Sequence, residues 1–212
     1  MLPRFTWLQF PFLAGFSSLC HGFSLRDETI PFQNVNSTLL SQSLPLLGLH
    51  TTSCIVQGEQ THGNQVAIVT PSSPSLIPHV DALITREKQI VLAIRTADCA
   101  PLFIYDPKLH ACGLAHSGRR GTELNILQKT VDAMRAEFGS YPSSLHVAIG
   151  PCIRPPFYET DFAATIRKQA REAGIHHLYD CGLNTAEDLS LFYSYRMERG
   201  NTARHYSVIA LI

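Results

Sequence analysis

Residues 90–117, "IVLAIRTADCAPLFIYDPKLHACGLAHS", contain three short apolar runs in quick succession. The runs "IVLAI" (90–94), "LFIY" (102–105) and "ACGLA" (111–115) have the length and the content of branched and aromatic residues that are typical of buried strands. The turn "DPKLH" between the last two runs suits a hairpin. Consecutive strands without an intervening helix favour an α+β or mixed α/β fold with hairpins over a doubly wound parallel sheet.

Helices and further strands are predicted on both sides of this segment. Apolar residues recur at intervals of three and four from Leu124 to Phe138, and Gly139 follows them, which predicts one helix beginning at Leu124. A second, weaker helix is predicted from about Asp161 to Ala173. The remaining predictions are strands at 54–57, 66–69, 145–149 and the closing "YSVIAL", a polar loop over 26–47 and an irregular, proline-rich loop over 70–79.

The composition is that of a folded protein with a substantial core. The 212 residues are 45% hydrophobic and 16% charged, so residues 1–212 are predicted to form a single domain. The 17 basic residues balance the 17 acidic ones without a basic patch, which argues against nucleic acid or a membrane surface as a partner. No run reaches the roughly 18 apolar residues of a membrane span.

The cysteines and the N-terminal segment bear on the cellular location. Six cysteines occur at wide, irregular spacings with no C-x-x-C pair, which favours reduced thiols over a disulfide framework. Prolines interrupt the apolar N-terminal segment and no A-x-A-type cleavage site follows, so this segment is predicted to form an apolar strand and turn of the fold. We therefore expect a cytoplasmic protein, either a monomer or a small homo-oligomer.

Three segments place a metal-binding type of side chain at the end of a predicted strand. They are "EQTHGNQV" with His62, "RTADCAPL" with Cys99 and "LAHSGRRGT" with His116. Zinc is bound by thiolate and imidazole, and catalytic sites use three protein ligands and leave one position open. The spacing matches no zinc-finger pattern, and each residue alone is also consistent with an ordinary hydrogen-bonded side chain.

A glycine- and arginine-rich stretch precedes the strongest predicted helix. "HSGRRGTELNIL" places two arginines where the free N–H groups and the dipole of a helix N-terminus would favour an anion. Arg120 could contribute a bidentate contact to phosphate. The alternative is a tight turn whose arginines are simply solvated.

Six ordered motifs resemble those of the laccase-domain family, and "HGFSLR" near the start fits the same family. Proteins of this family were once described as multicopper polyphenol oxidases and are now described as purine nucleoside phosphorylases. The resemblance covers most of the chain. Its motifs are "EQTHGNQV", "DALIT", "TADCAPLFIYD", "AHSGRRGTELNIL", "AIGPCIRPPFYE" and "FYSYRMERGNTARHYSVI".

The resemblance implies a fold, a metal and an activity. The implied fold is a layered α/β/β/α sandwich with mixed sheets. The implied zinc ligands are His62, Cys99 and His116, although copper is not excluded because ligand preferences overlap. The implied reaction is phosphorolysis of adenosine, inosine, guanosine or methylthioadenosine, with adenosine deamination as a further reaction. The chain lacks the repeated H-x-H pairs with which multicopper oxidases bind copper.

The chain departs from the family pattern near the predicted nucleoside pocket. Arg119 stands where the family usually has a tryptophan, and Ala203 replaces the glycine of a "T-G-R" motif. An aromatic ring that could stack on a base has thus become a cation, so the nucleoside preference need not follow that of the family. Gln60, Arg119 and Glu159 are the predicted substrate-binding residues. Gln60 could instead cap a turn, and Glu159 could be an ordinary surface acid.

Catalytic roles are predicted for two further side chains. Asp98, next to Cys99, could carry protons or could hold the loop through hydrogen bonds. Arg120 would hold phosphate during phosphorolysis. An alternative function is a cysteine hydrolase or deamidase in which Cys99 is the nucleophile and His116 its base. A non-enzymatic module with a structural zinc would need a fourth protein ligand, for which no motif is present.

Overall fold

Among the residues that the structure describes, twelve strands and five α-helices make up the fold. The structure is a computed structural model that describes residues 4–27, 29–30, 35–50 and 53–212. Predictions for residues 1–3, 28 and 31–34 lie outside the described residues. The elements are β1 (Trp7–Leu8), α1 (Pro11–Ala14), β2 (Leu19–Ser24), α2 (Ser37–Ser43), β3 (Cys54–Gly58), β4 (Val66–Ile68), β5 (Leu76–Ile77), β6 (Ala82–Thr85), β7 (Ile90–Thr96), β8 (Ala100–Asp106), β9 (Ala111–Ser117), α3 (Arg119–Glu123), α4 (Ile126–Phe138), β10 (His146–Ile149), α5 (Phe162–Glu172), β11 (His177–Asp180) and β12 (His205–Leu211).

The strands form two mixed sheets of six strands each. One sheet has the order β1-β2-β12-β7-β3-β5 and the other the order β11-β10-β8-β9-β6-β4. The predicted hairpin is confirmed, because β8 and β9 pair antiparallel from Ala100 opposite Ser117 to Asp106 opposite Ala111. By contrast, β7 pairs with β12 and β3, so the consecutive strands β7 and β8 lie in different sheets.

Strand periodicity explains the layers. Along β8, Leu102 and Ile104 pack in the core shared with α4 and α5, whereas Phe103 and Tyr105 pack in the core between the sheets. Side chains alternate between the two faces of a strand, so a strand covered on both faces must be apolar throughout. Full burial of one such side chain contributes about 1.5–3 kcal/mol. Helix α2 covers the outer face of the other sheet, and the predicted layered α/β/β/α sandwich is confirmed.

The long helix begins later than predicted. Asn125 has a left-handed φ of 53°, its side chain accepts from Gln128 N, and α4 begins at Ile126. Arg119–Glu123 form a separate short helix before it. Leu124 therefore lies outside the buried stripe of α4 and is 42% exposed. The prediction that one helix begins at Leu124 is wrong because the apolar spacing does not register the break at Asn125.

Other local predictions also have mixed outcomes. The second helix is confirmed as α5, with Asp161 accepting from Ala164 N at its N-terminus. The stretches at 54–57 and 66–69 are strands, but they belong to different sheets. The stretch at 70–79 contains β5, which pairs parallel with β3. The predicted loop at 26–47 contains α2, which Asn36 caps and whose Leu39 and Leu40 are buried.

Two sequence-based expectations concern features other than secondary structure. All six cysteines are free. Within the described part of the chain, no helix has the length and hydropathy needed to cross a bilayer. The assignment of residues 1–212 to one domain stays a prediction.

Candidate metal centre and cleft

The three predicted metal ligands lie together. His62 follows β3 in a turn, Cys99 lies between β7 and β8, and His116 is the penultimate residue of β9. One potential ligand atom from each side chain lies within 4.8 Å of the other two. Because β8 and β9 pair with Pro101 opposite His116, Cys99 and His116 meet at the same end of the hairpin. These residues lie far apart in the sequence, and only the tertiary structure brings them together.

A buried carboxylate that the sequence analysis did not select holds two of these ligands. Asp81 Oδ1 accepts from His116 Nδ1 at 2.8 Å and from His62 N at 2.9 Å, while Oδ2 accepts from Gly63 N at 2.7 Å. A carboxylate can only accept here, so His116 carries its proton on Nδ1 and Nε2 is left for a metal. The only sequence signal was the motif "DALIT", in which Asp81 had no assigned role.

Electrostatics favour an ionised Cys99 in this cluster. Burial alone would raise the pKa of the Cys99 thiol, but attraction to His116 and hydrogen bonds with His116 and His62 lower that pKa to about 6. Burial would lower the pKa of His116, but Cys99 and Asp81 raise it to about 9. A thiolate is the form of cysteine that binds metals.

The donor set and the free space around it fit a tetrahedral metal ion. Bonds of 2.0–2.3 Å place tetrahedral ligand atoms roughly 3.3–3.6 Å apart, so the observed separations need only small side-chain movements. A Cβ at Gly118 would lie 2.7 Å from Cys99 Sγ and 3.4 Å from His62 Cδ2. Gly118 thus keeps the space beside the sulfur open. Among the described residues, no fourth His, Cys, Asp or Glu joins the cluster, which is the pattern of a site with an open position.

The cluster lies in a cleft of about 1150 Å³ that is rich in arginine and aromatic side chains. The arginines are Arg95, Arg119, Arg120, Arg196, Arg199 and Arg204. The aromatic residues are Tyr158, Phe162 and Tyr195. Of the six arginines, the sequence analysis selected only Arg119 and Arg120. The available signal for three of the others was the C-terminal motif "FYSYRMERGNTARHYSVI", whose side chains had no assigned roles.

Asp98 lines the cleft, and both of its carboxylate oxygens have protein partners. Oδ1 accepts from Thr185 Oγ1 at 2.8 Å and Oδ2 accepts from Arg196 N at 2.7 Å. Its main-chain oxygen accepts from Ile153 N at 2.8 Å. Of the two predicted roles for Asp98, these contacts favour holding the metal-binding loop against the C-terminal loop.

Gln60 lies at the edge of the cleft and is fully engaged with the neighbouring strand. Its Nε2 donates to Arg95 O at 2.7 Å, and its Oε1 accepts from Arg95 N at 2.7 Å. The amide therefore joins the turn that carries His62 to the end of β7. This geometry favours the turn-stabilising alternative for Gln60 over a contact with substrate.

Arg119, Arg120 and Glu159 differ in how strongly they are held. Arg119 pairs with Glu123 at 3.1 Å and with Glu159 at 3.5 Å, and hydrogen bonds to Glu123 and Tyr158 raise the pKa of its guanidinium. Glu159 also pairs with Arg196 at 3.4 Å. The Arg120 guanidinium forms no hydrogen bond or ion pair with any described residue.

The predicted helix N-terminus does not accompany these arginines. Both lie within the short helix α3, whereas α4 begins at Ile126, outside the residues that line the cleft. The two arginines instead begin α3, whose N-cap is Gly118 and whose first main-chain hydrogen bond runs from Thr122 N to Gly118 O. Binding of an anion beside them stays a prediction.

Asp81→Asn is expected to weaken metal binding without removing a ligand. The amide replaces one acceptor oxygen with a donor that faces the N–H groups around Asp81. Loss of a group that orients a metal ligand lowers affinity by about 10–100-fold, which a competition titration with a chromogenic chelator would measure. Asp132→Asn, on the exposed face of α4, is the matched control. Equal affinities of Asp81→Asn and the unsubstituted protein would contradict the assigned role.

Fold and site together define a layered mixed sandwich with a His–Cys–His cluster that could hold a metal ion, in an arginine-lined cleft. The family model described as multi-copper polyphenol oxidoreductase laccase matches residues 13–162 and 158–212. The chain belongs to this family.

The relatives that it resembles share one name. A purine nucleoside phosphorylase of Deinococcus radiodurans is 37% identical over 72% of this chain and 68% of its own length. The purine nucleoside phosphorylase YlmD of Geobacillus stearothermophilus is 31% identical over 92% of this chain and 84% of its own. The crystal structure of YlmD from the latter organism superposes with a TM-score of 0.86 at 26% identity, covering 100% of this chain and 97% of that one.

Proposed function

We propose that this protein is a zinc-dependent purine nucleoside phosphorylase that cleaves adenosine, inosine, guanosine or methylthioadenosine with phosphate. The observation that carries the proposal is the joint presence, in one cleft, of a three-ligand metal cluster, guanidinium groups and tyrosine rings. These groups suit the metal, the phosphate and the purine respectively. The names of relatives at 30–37% identity support the same reaction.

Arg120 is the proposed phosphate ligand. It lines the cleft four residues after His116, and its guanidinium has no partner among the described residues. It can therefore offer two parallel N–H groups to phosphate without breaking an existing ion pair. Arg119 would have to give up its contacts with Glu123 and Glu159 to do the same.

Tyrosine rings supply surfaces for the purine. Tyr195 is 55% exposed and lines the cleft, and the Arg204 guanidinium lies 5.3 Å from the centre of its ring. Tyr158 contacts the edge of Phe162 and lies under the Arg196 guanidinium, 5.3 Å from the ring centre. Stacking of one base on an aromatic ring contributes about 1–3 kcal/mol. In this proposal the tyrosine rings would do the stacking for which the family usually has a tryptophan at position 119.

His62, Cys99 and His116 would hold the metal ion. Zinc bound there would supply a Lewis acid that polarises an oxygen of phosphate or ribose. In phosphorolysis a phosphate oxygen forms a bond to C1′, the glycosidic C1′–N bond breaks, and the purine leaves with the electron pair and takes up a proton. Arg120 would hold the phosphate in line with that bond. One thiolate and two imidazoles suit zinc, and elemental analysis would distinguish it from copper.

Adenosine deamination is proposed as a further reaction of the same cleft. It requires a water molecule at C6 of adenine and a group that transfers protons. Asp98 can transfer protons only after releasing Thr185 or the main chain of Arg196. The cytoplasmic location and the oligomeric state stay predictions.

Product analysis by mass spectrometry tests this function. The zinc-loaded protein is incubated with each of the four nucleosides, in phosphate buffer and in phosphate-free buffer. Free purine with ribose 1-phosphate (or its methylthio counterpart), formed only with phosphate, would support the proposal. Inosine formed from adenosine in both buffers would identify the deaminase reaction. Four unchanged nucleosides would contradict both activities.

Arg120→Gln is expected to raise the KM for phosphate. Hydrogen bonds to charged groups contribute about 1.5–3 kcal/mol, which corresponds to roughly 10–150-fold. The zinc content should stay the same, because Arg120 does not belong to the metal cluster. Arg171→Gln, at the exposed end of α5, is the control. An unchanged KM for phosphate in Arg120→Gln would remove Arg120 from the mechanism.

The cysteine-hydrolase alternative also has a structural basis. Cys99 Sγ and His116 are close enough to act as a nucleophile and its base. Iodoacetamide labelling followed by peptide mapping distinguishes the two functions. Zinc should protect Cys99 from alkylation until a chelator is added, whereas a free nucleophile would be alkylated at the same rate with and without zinc.

A further inference from the structure

A path of contacts and sequence neighbours can be followed around the cleft, beginning at the metal cluster. Gln60, two residues before His62, is bonded to the main chain of Arg95. Arg95 lies opposite Tyr206 in the pairing of β7 with β12, and its side chain is hydrogen-bonded to Tyr206. Tyr206 is two residues beyond Arg204. This half of the wall thus leads from the metal cluster to the C-terminal loop.

The other half of the wall returns to the metal cluster. Arg204 lies over the ring of Tyr195, 5.3 Å from its centre. Arg196 follows Tyr195 in the sequence and pairs with Glu159. Glu159 also pairs with Arg119. Arg119 follows Gly118, the residue packed against Cys99. Arg120 and Arg199 both line the cleft and lie on different segments, Arg120 in α3 and Arg199 in the C-terminal loop.

The C-terminal part of the wall carries three arginines that pair with no carboxylate among the described residues, although Arg204 donates to Thr202 O and Ala203 O at 3.0 Å. Arg95, Arg199 and Arg204 line it, and the Arg199 guanidinium has no ion pair or hydrogen bond with any described residue. The acid on this side, Glu59, already accepts from His79 N at 2.8 Å and pairs with His79 Nδ1 at 3.2 Å. Glu198, adjacent to Arg199, pairs with Arg26 at 3.0 Å and does not line the cleft.

Arg199 is held in place by an ordered loop. Its φ is 52°, a left-handed conformation that few residues other than glycine adopt. Gly200 follows with a φ of 83°, and a Cβ there would lie 3.3 Å from the ring of Tyr195. Gly200 N also donates to Tyr195 O at 2.9 Å. The backbone at Arg199 is therefore fixed by local contacts, and Arg199 and Tyr195 both line the cleft.

A neutral nucleoside and inorganic phosphate leave this positive charge unused. Phosphate occupies one cationic position, which the proposed function assigns to Arg120. At about 1150 Å³, the cleft also exceeds the roughly 300–1,000 Å³ that is usual for small-molecule sites. Space and charge are thus both available for a second anionic group carried by the substrate.

We propose that Arg199, with Arg95 and Arg204, forms a second anion subsite and that the protein accepts purine nucleoside 5′-monophosphates. This inference rests on the proposed function for the placement of purine and ribose. The purine stacks on Tyr195 and the 5′-phosphate contacts Arg199. Phosphorolysis of such a substrate joins a phosphate oxygen to C1′ and breaks the C1′–N9 bond. The purine leaves with the electron pair and the proton given up by phosphate, and the sugar product is ribose 1,5-bisphosphate.

Calorimetric titration of the zinc-loaded protein with AMP and with adenosine tests the subsite. The buffer contains no inorganic phosphate, so that neither ligand is consumed by phosphorolysis and no free anion competes for the subsite. Charged hydrogen bonds to the 5′-phosphate should make AMP bind at least about 10-fold more tightly than adenosine. This preference should shrink as salt is added, because screening weakens contacts between exposed charges.

Arg199→Gln is the decisive variant, with Arg171→Gln as the control for loss of one surface charge. Arg199→Gln should abolish the preference for AMP, and Arg171→Gln should retain it. Equal affinities for AMP and adenosine in the unsubstituted protein would overturn the subsite, as would an undiminished preference in Arg199→Gln. Phosphorolysis of adenosine without any preference for AMP would leave the proposed function standing. A preference for AMP without phosphorolysis would retain the subsite and remove the phosphorylase assignment.

Discussion

Cys99→Ala is expected to purify as a folded protein that has lost its metal. Cys99 provides the single thiolate of a three-ligand cluster, and among the described residues no other side chain of a ligand type is near enough to replace it. Loss of a metal ligand lowers metal affinity more than loss of a group that only orients a ligand. The metal affinity of Cys99→Ala should therefore fall by more than about 100-fold. Elemental analysis of the purified protein measures this directly, and circular dichroism reports on the fold.

Cys54→Ala is the matched control for this substitution. Cys54 is an exposed, free cysteine at the start of β3 and does not belong to the cluster. It should therefore retain the full metal content. A full complement of metal in Cys99→Ala would refute the assignment and leave the cysteine-hydrolase alternative as the better account of the cluster.

Gly118→Ala is expected to disrupt the metal centre by steric conflict alone. The added methyl group would lie 2.7 Å from Cys99 Sγ, a separation that forces the sulfur or the backbone to move. Gly118 has an ordinary extended φ of −83°, so alanine meets no backbone penalty there. Metal affinity should fall by roughly 10–100-fold, as when a ligand loses its positioning group. Overpacking should also lower the free energy of unfolding by about 1–3 kcal/mol.

Gly15→Ala separates this local conflict from the general effect of replacing a glycine. A Cβ at Gly15 would meet nothing within 4 Å, and its φ is −72°. That variant should keep the metal affinity of the unsubstituted protein. Thermal unfolding and chelator competition, performed on both variants with and without zinc, measure the two effects separately. Unaltered metal affinity in Gly118→Ala would show that the sulfur does not bind the metal from its position beside Gly118.

The strands illustrate how far local sequence patterns could predict the fold. The runs at 90–94, 102–105 and 111–115 all proved to be strands, and the turn "DPKLH" proved to join a hairpin. Each depends on the side chains and turn residues of a short segment, which the sequence displays directly. The N-terminal segment was predicted to contain strand and turn, but the bounds of the strand Leu19–Ser24 and its pairing with β12 were not, because that pairing depends on residues near the other end of the chain.

The side chains of the site also differ in whether local sequence or long-range contacts reveal their importance. His62, Cys99 and His116 could be selected because their residue types follow predicted strands and match family motifs. Asp81 could not be selected with equal reason, because its importance comes from bonds to His116 and to the turn at His62. Arg199 was overlooked because nothing in its local sequence indicates that it faces a cleft.

The sequence by itself determined the apolar strands, the hairpin, the mixed fold class and the residue types available to bind a metal. These depend on periodicity, turn chemistry and ligand preference within short segments. Tertiary structure alone decided that β7 and β8 enter different sheets, that Asp81 orients His116, and that Asp98 meets Arg196. The physical reason is that strand pairing and loop contacts are settled by packing between distant parts of the chain. The hydrogen bond between Asp98 and Arg196 spans 98 positions, and no local pattern of residues specifies such a contact.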